Sequence, residues 1–328
     1  MADETNTHAR RYLASLLLFG TNGIVASQIA LASSSVVLLR TFFGALLLSV
    51  LLVVVRRRQA RAALKRCRSV GTRAVVGATA RALLRSSRLR DVLLIALSGV
   101  AMGISWLFQY EAYWEIGVGL TSVIYCVGPV AVMALAPLLL KERVSPSKVA
   151  GLAVVLVGVA PVNVQGVLGA TMSLRGIACA VMTAVAYAAM VLLNKQARGL
   201  ESLVHSAVQL IAAFAVAFAF VMATQGELPA PSAADWPFVL VLGLLNTGFG
   251  CYLYFPAINV LPAHMVVVCD YIEPIMGIVL AAVVLGEALA PLQMAGAALV
   301  LAGAIGPYAV SSLAARKGAR SPEELFSQ

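Results

Sequence analysis

The sequence predicts an all-α integral membrane fold, with ten transmembrane helices arranged as two inverted five-helix repeats. Three observations carry that expectation. Of 328 residues, 61% are apolar and 12% charged, whereas a soluble domain carries about 25% charged residues. One stretch occurs twice: a shift of 145 positions without a gap pairs Pro129 with Pro274, Glu142 with Glu287, Pro146 with Pro291, Gly151 with Gly296 and Gly158 with Gly303. Self-similarity in fixed register fixes an architecture before any local reading does. Finally, the bases sort by connection. With the N-terminus in the cytoplasm, 22 of the 24 Lys and Arg fall on that side and only Arg40 and Arg175 remain, as the positive-inside rule requires.

In chain order, a cytoplasmic tail (1–10) leads into a first repeat (11–164). Its spans are expected at 11–31, 33–55, 92–112, 117–140 and 147–164, each near the 20 or so residues that cross a bilayer. Arg10-Arg11, the apolar run and Ala30-Leu31-Ala32 imitate a cleavable signal peptide. Thr21-Asn22-Gly23 interrupts that run, however, and the repeat needs a helix there, so it reads as the first span. Between the second and third spans lies a basic cytoplasmic loop, 56–90, with twelve Lys and Arg and no interleaved aromatic residue. It offers no base-stacking surface, so no nucleic-acid partner is expected; attraction to anionic lipid headgroups is secondary. A linker (165–172) precedes the second repeat (173–313), with spans at 173–194, 201–223, 236–258, 263–285 and 291–313, and a cytoplasmic tail (314–328). Thr224–Asp235, on the opposite side, holds acids and prolines but no base. Five spans per half turn the second copy upside down relative to the first. Inverted repeats around a mid-membrane site are the architecture of many secondary transporters.

The ninth span contains what a membrane helix normally avoids. Asp270 and Glu273 sit inside the apolar run, three residues apart and therefore on one helical face. A carboxylate at such depth faces a protein interior or a water-filled cavity. Pro274 follows at once, lacking an N–H and clashing with the carbonyl of Asp270. The acids align with Tyr125 and Gly128, so they belong to the second half alone. Two neighbouring carboxyls in low dielectric do not both ionise easily. Such a pair can couple protons to transport or neutralise a cationic substrate; the alternative is a satisfied acid that fixes the kink. Asn22, Trp106, Tyr110, Tyr187, Asn246, Tyr252 and Tyr271 are the further candidates to line a substrate cavity, with packing as the plainer reading of each.

What both halves share reads as scaffold. Pro129 and Pro274 are mid-span kinks. Glu142 and Glu287 each end a span before a short turn whose proline opens the next. Gly151, Gly158, Gly296 and Gly303 form small-residue faces for packing or a dimer seam. Arg40 is expected as a structural residue, paired with Glu111 or snorkelling at the membrane boundary.

Glu273-Pro274, then Leu285-Gly286-Glu287-Ala288-Leu289-Ala290-Pro291 and Leu299-Val300-Leu301-Ala302-Gly303, resemble the end of the EamA family in the drug/metabolite transporter superfamily. Tyr254-Phe255-Pro256-Ala257-Ile258 before Leu261-Pro262-Ala263 resembles that family's preceding span and turn, and Leu38-Leu39-Arg40-Thr41-Phe42-Phe43 its second span. The resemblance covers nearly the whole chain and implies ten helices and export or exchange of small metabolites, with amino acids or related compounds as the expected class. Its membrane is expected to be the bacterial inner (plasma) membrane, with both termini cytoplasmic. Asp270 and the long basic stretch stand outside the resemblance.

The remaining classes are weaker. No Walker A signature supports ATP coupling. Cys67, Cys126, Cys179, Cys251 and Cys269 are scattered, so neither a disulfide framework nor a metal site is expected. His8, His205 and His264 are dispersed, against the clustering a lipid enzyme requires. A non-transporting scaffold or receptor leaves the mid-membrane acids without a role. The expected partners are a small-molecule substrate, protons and membrane lipids, with no cofactor, in a monomer or homodimer.

Overall fold

The computed structural model describes residues 2–67, 86–140, 150, 153–154, 157–158, 173–197, 200–261, 266, 269–286, 291, 294–296, 298–299, 302–303 and 306. Glu142, Glu287, the linker 165–172 and the tail 314–328 lie outside the described residues, as do most of the fifth and tenth expected spans.

Every regular element among the described residues is helical. α1 (Ala2–Gly20) and α2 (Asn22–Ala26) cover the first expected span, and α3 (Ser33–Cys67) the second. α4 (Ser86–Ile116) follows, then α5 (Val118–Tyr125), α6 (Val127–Leu140), α7 (Leu174–Gln196) and α8 (Ser202–Thr224). α9 (Trp236–Leu240), a π-helical segment (Val241–Phe249) and α10 (Gly250–Val260) run on continuously, and α11 (Ile272–Val284) completes the set. Five of these helical stretches are long and apolar enough to cross a membrane: Ser33–Arg61, Leu89–Ile116, Leu174–Gln196, Ser202–Thr224 and Trp236–Ile258. Val118–Val132 and Ile272–Val284 are shorter apolar helices.

Two expectations need correction. The basic stretch 56–90 is not a plain loop: α3 carries Arg56 through Arg66 on a helical extension, and α4 already includes Arg88 and Arg90. Arg, Lys, Ala and Leu are strong helix formers, so the helices run on past the apolar sequence. Arg56 meets Glu201 of the next half at 2.7 Å, an exposed pair that contributes about 0–1 kcal/mol. The first, fourth and eighth spans are also not continuous α-helices. α1 stops at Thr21, α5 and α6 are separated at Cys126, and the eighth span passes through the π-helical segment.

The breaks in the fourth and ninth spans obey the repeat. Cys126 lies three residues before Pro129, and the turn at Tyr271 three before Pro274. The two breaks are therefore in the same 145-residue register as the prolines. A proline cannot donate to the helix ladder and displaces the carbonyl four residues back, so both copies open just ahead of it. The broken spans pack on each other. A Cβ added to Gly277 of α11 would lie 2.5 Å from Oγ of Ser122 on α5, and one at Gly20 would lie 2.4 Å from Cβ of Met276. α1 lies against α10 and α11, with the Tyr12 ring stacked on Tyr254 at 5.1 Å.

α4 holds the two halves together through α7 and α8. Gly99 and Gly103 form a G-x-x-x-G face on α4, where an added Cβ would lie 2.3 Å from the Gln209 carbonyl oxygen and 2.9 Å from that of Ala213. Small residues of this spacing let membrane helices approach backbone to backbone. Beside them Asn194 donates to Gln209 Oε1 at 2.6 Å, and Gln209 donates to Ser98 Oγ at 3.1 Å. Ser98 in turn donates to the Met190 carbonyl at 2.8 Å. This polar chain ties α4, α7 and α8 where no water competes.

Candidate functional site

The largest core cluster surrounds the break in the ninth span, drawing on α1, α5, α7 and α10. Asp270 is buried at its centre. Tyr12 of α1 donates its hydroxyl to Oδ1, and Tyr187 of α7 donates to Oδ2. Both carboxyl oxygens are thus engaged by helices from the two halves, and Lys195 lies within electrostatic reach. Asp270 is a clamp.

Glu273 is placed differently. It opens α11, remains half-buried and lines a cavity walled by Phe19, Trp106, Tyr125, Tyr187, Tyr254 and Phe255, with Ser105 and Met102 between them. About 30 Å³ is free there for the centres of water-sized molecules, enough for more than one water. Gln109, Asp270 and Arg40 are the groups that interact with its carboxyl. Although the sequence puts both acids on one face, the turn at Tyr271 gives them separate surroundings.

Arg40 is not a boundary residue. Its side chain is 1% exposed and donates from Nε to Thr247 at 2.8 Å and from Nη1 to the Tyr110 hydroxyl. The guanidinium stands 4.2 Å from the Trp106 ring centroid and 5.0 Å from that of Tyr110. The expected Arg40–Glu111 pair is absent: Glu111 instead accepts from Arg175 at 2.6 Å and from Ser33. A buried guanidinium needs desolvated partners; aromatic faces supply them, with the Glu273 carboxyl within electrostatic reach. Glu111, at the end of α4, takes the cation that begins α7.

The π-helical segment builds this arrangement. Its wider turn lets Thr247 donate to the Leu242 carbonyl at 2.7 Å while accepting from Arg40. One residue earlier, Asn246 donates to the Leu18 carbonyl (3.2 Å), Thr21 Oγ1 (2.9 Å) and Asn22 Oδ1 (3.1 Å). Asn22 and Asn246 therefore seal the break in the first span and lie outside the cavity lining. π-bulges concentrate at functional sites.

A second cavity, with about 170 Å³ for water-sized centres, opens beside α2 between Ile29, Ser33, Tyr110, Tyr113 and Trp114. Trp106 lines the first cavity and Tyr110 the second; Arg40 touches both rings and lines neither. Of the remaining candidates, Tyr187 lines the first cavity, Tyr271 is buried at the helix break and Tyr252 packs partly buried against the core cluster. Tyr12, Gln109, Tyr125, Thr247 and Tyr254 were not singled out by the sequence. Tyr125 had a readable signal as the repeat partner of Asp270, and Tyr254 stood in a stretch that carries the family resemblance; the others had none.

The family model for the EamA-like transporter family matches residues 12–164 and again 174–308. The chain belongs to the EamA-like transporter family. The duplication read from the prolines is thus the family's own repeat, and an integral membrane transporter follows from membership. An uncharacterized transporter, YxxF of Bacillus subtilis (strain 168), is 25% identical over 218 residues, 65% of this chain and 69% of its own. One crystal structure superposes with a TM-score of 0.60 at 17% identity, covering 92% of this chain and 96% of that one. That likeness is one of fold.

Proposed function

We propose that this EamA-like chain is a secondary transporter, an exporter or exchanger of small metabolites related to amino acids, working by alternating access. The carrying observation is the Glu273 cavity, formed where the broken ninth span faces α1, α4, α7 and α10. A carboxyl kept half-buried among aromatic walls is a costly arrangement that a scaffold does not need. Ten spans in two inverted halves, with both termini cytoplasmic in a bacterial inner membrane, complete the reading. Rocking of the halves then exposes the cavity to each side in turn. The Asp270–Glu273 pair is the proposed proton-coupling element, because two interacting carboxyls titrate as a unit.

Counterflow in proteoliposomes with labelled amino acids and nucleosides, with and without a pH gradient, tests the reading. Flux is expected for at least one class and should fall sharply in Glu273→Gln at equal folded yield. Sharing of a proton predicts that Asp270→Asn and Glu273→Gln each displace the pH dependence of flux. Wild-type flux and pH profile in a folded double variant would remove both acids from the mechanism.

A further inference from the structure

We infer that the Glu273 cavity receives the ammonium head of an organic cation lacking a carboxylate. This inference rests on reading the cavity as the transport site and, within small metabolites, assigns it amines in place of amino acids. Glu273 is the one charged side chain among the described residues that line it. Asp270, the other acid, is withdrawn from ligands because Tyr12 and Tyr187 hold both of its oxygens. Around Glu273 the wall is aromatic, with Trp106, Tyr125 and Tyr254 among its rings. Aromatic faces attract a cation most strongly once it has lost water. A carboxylate inside such a box is the counter-charge that an alkylammonium needs.

The same wall is poorly suited to an anion. The Tyr187 hydroxyl donates to Asp270, and the Ser105 hydroxyl donates to the Thr183 carbonyl at 3.0 Å. Their protons are directed away from the cavity. Arg40 stands behind Trp106 with its guanidinium 4.2 Å from the ring centroid and does not line the cavity. A bound carboxylate would therefore meet Glu273 with no cation among the lining residues, while Arg40, behind Trp106, already interacts with the Glu273 carboxyl. The free space of about 30 Å³ for water-sized centres fits a compact head group, whereas a larger solute would have to widen the cavity. A methylated ammonium has no N–H groups to satisfy, so few polar partners are required.

Choline, its neutral isostere 3,3-dimethyl-1-butanol and its carboxylated relative betaine separate charge, shape and zwitterion. Binding of each to the full-length purified protein is followed by quenching of tryptophan fluorescence, and choline counterflow is measured in proteoliposomes. The expected result is that choline binds at least tenfold more tightly than either analogue, with at least a tenfold loss in Glu273→Gln. Equal binding of choline and the butanol, or absence of choline binding, overturns the inference without needing a variant. Preference for betaine also overturns it and assigns the carboxylate to Arg40, whose Nη2 has no hydrogen-bond partner among the described residues. Undiminished choline binding in folded Glu273→Gln places the cation elsewhere and equally overturns it. Glu273-dependent choline binding without counterflow of any solute upholds the cation site and removes the transport reading. Amino-acid counterflow without choline binding does the reverse.

Discussion

At the residue scale the two acids differ in what surrounds them, and their variants should differ accordingly. Asp270→Asn replaces one acceptor oxygen by a donor, leaving either Tyr12 or Tyr187 facing an NH2 group. Loss of about 1–3 kcal/mol of stability is expected for a buried hydroxyl so stranded, read as a lower unfolding temperature in detergent. Glu273→Gln, bordering free space, should leave that temperature nearly unchanged. Gly128, the repeat partner of Glu273, explains why the first half has no acid at this point: an added Cβ would lie 2.8 Å from Cδ1 of Tyr187. The Tyr187 ring occupies the space that a first-half side chain would need. Gly128→Ala should push Tyr187 off Asp270 and lower stability by about 1–3 kcal/mol, as overpacking does. The companion variant Tyr187→Phe, which keeps the ring and removes only the hydroxyl, measures the lost clamp apart from the crowding. Arg40→Lys keeps the charge but loses the planar stack on Trp106 and the fork that reaches Thr247 and Tyr110. It should therefore behave as a loss, in contrast with a boundary arginine, where Lys would be neutral.

At the scale of elements, the helices are joined by close backbone approach and by caps. Gly99→Ala would set a methyl against the Gln209 backbone, so α4 and α8 must separate. A fall in unfolding temperature is expected, and Gly226→Ala provides the contrast. At Gly226 nothing lies within 4 Å, and only its φ of 75° opposes a side chain. Asn246→Ala removes the amide NH2 whose two hydrogens are shared among Leu18, Thr21 and Asn22 and which holds the π-helical segment to the break in the first span; local hydrogen exchange should rise in 18–22 and 241–249 together. At the far end of that span, Asp235 accepts from the Ala30 backbone N–H and from the hydroxyl and N–H of Ser232. The Ala30 N–H is the leading cause that holds its carboxyl below the ordinary range, followed by the Ser232 contacts. A depressed folded value means that the stabilisation is present above the unfolded value near 4 and is lost as pH falls through the folded one. The 27–35 turn should accordingly be protected at pH 7 and loosen only below about pH 4, a change that Asp235→Asn abolishes.

For the whole molecule, the proposed orientation makes a direct expectation. A cysteine at Ala230 should react with an impermeant thiol reagent from outside, and one at Ala63 only after permeabilisation; external reaction at Ala63 would undo the inverted arrangement. The sequence by itself determined that the chain is an integral membrane protein, that it is duplicated, and that its helices are disturbed at Pro129 and Pro274. Each of these follows from composition, register or a missing N–H, properties carried within a few residues or in their order. It also marked Glu273, because an acid in an apolar run is anomalous wherever the run packs. Tertiary structure alone decided that Asp270 is clamped while Glu273 lines a cavity, since Tyr12 and Tyr187 come from helices distant in sequence. It likewise turned Arg40 from the boundary to the interior, against Trp106, Tyr110 and Thr247. One charge among apolar neighbours does not reveal its partners; in the low dielectric of the bilayer, the geometry of those partners settles what it does.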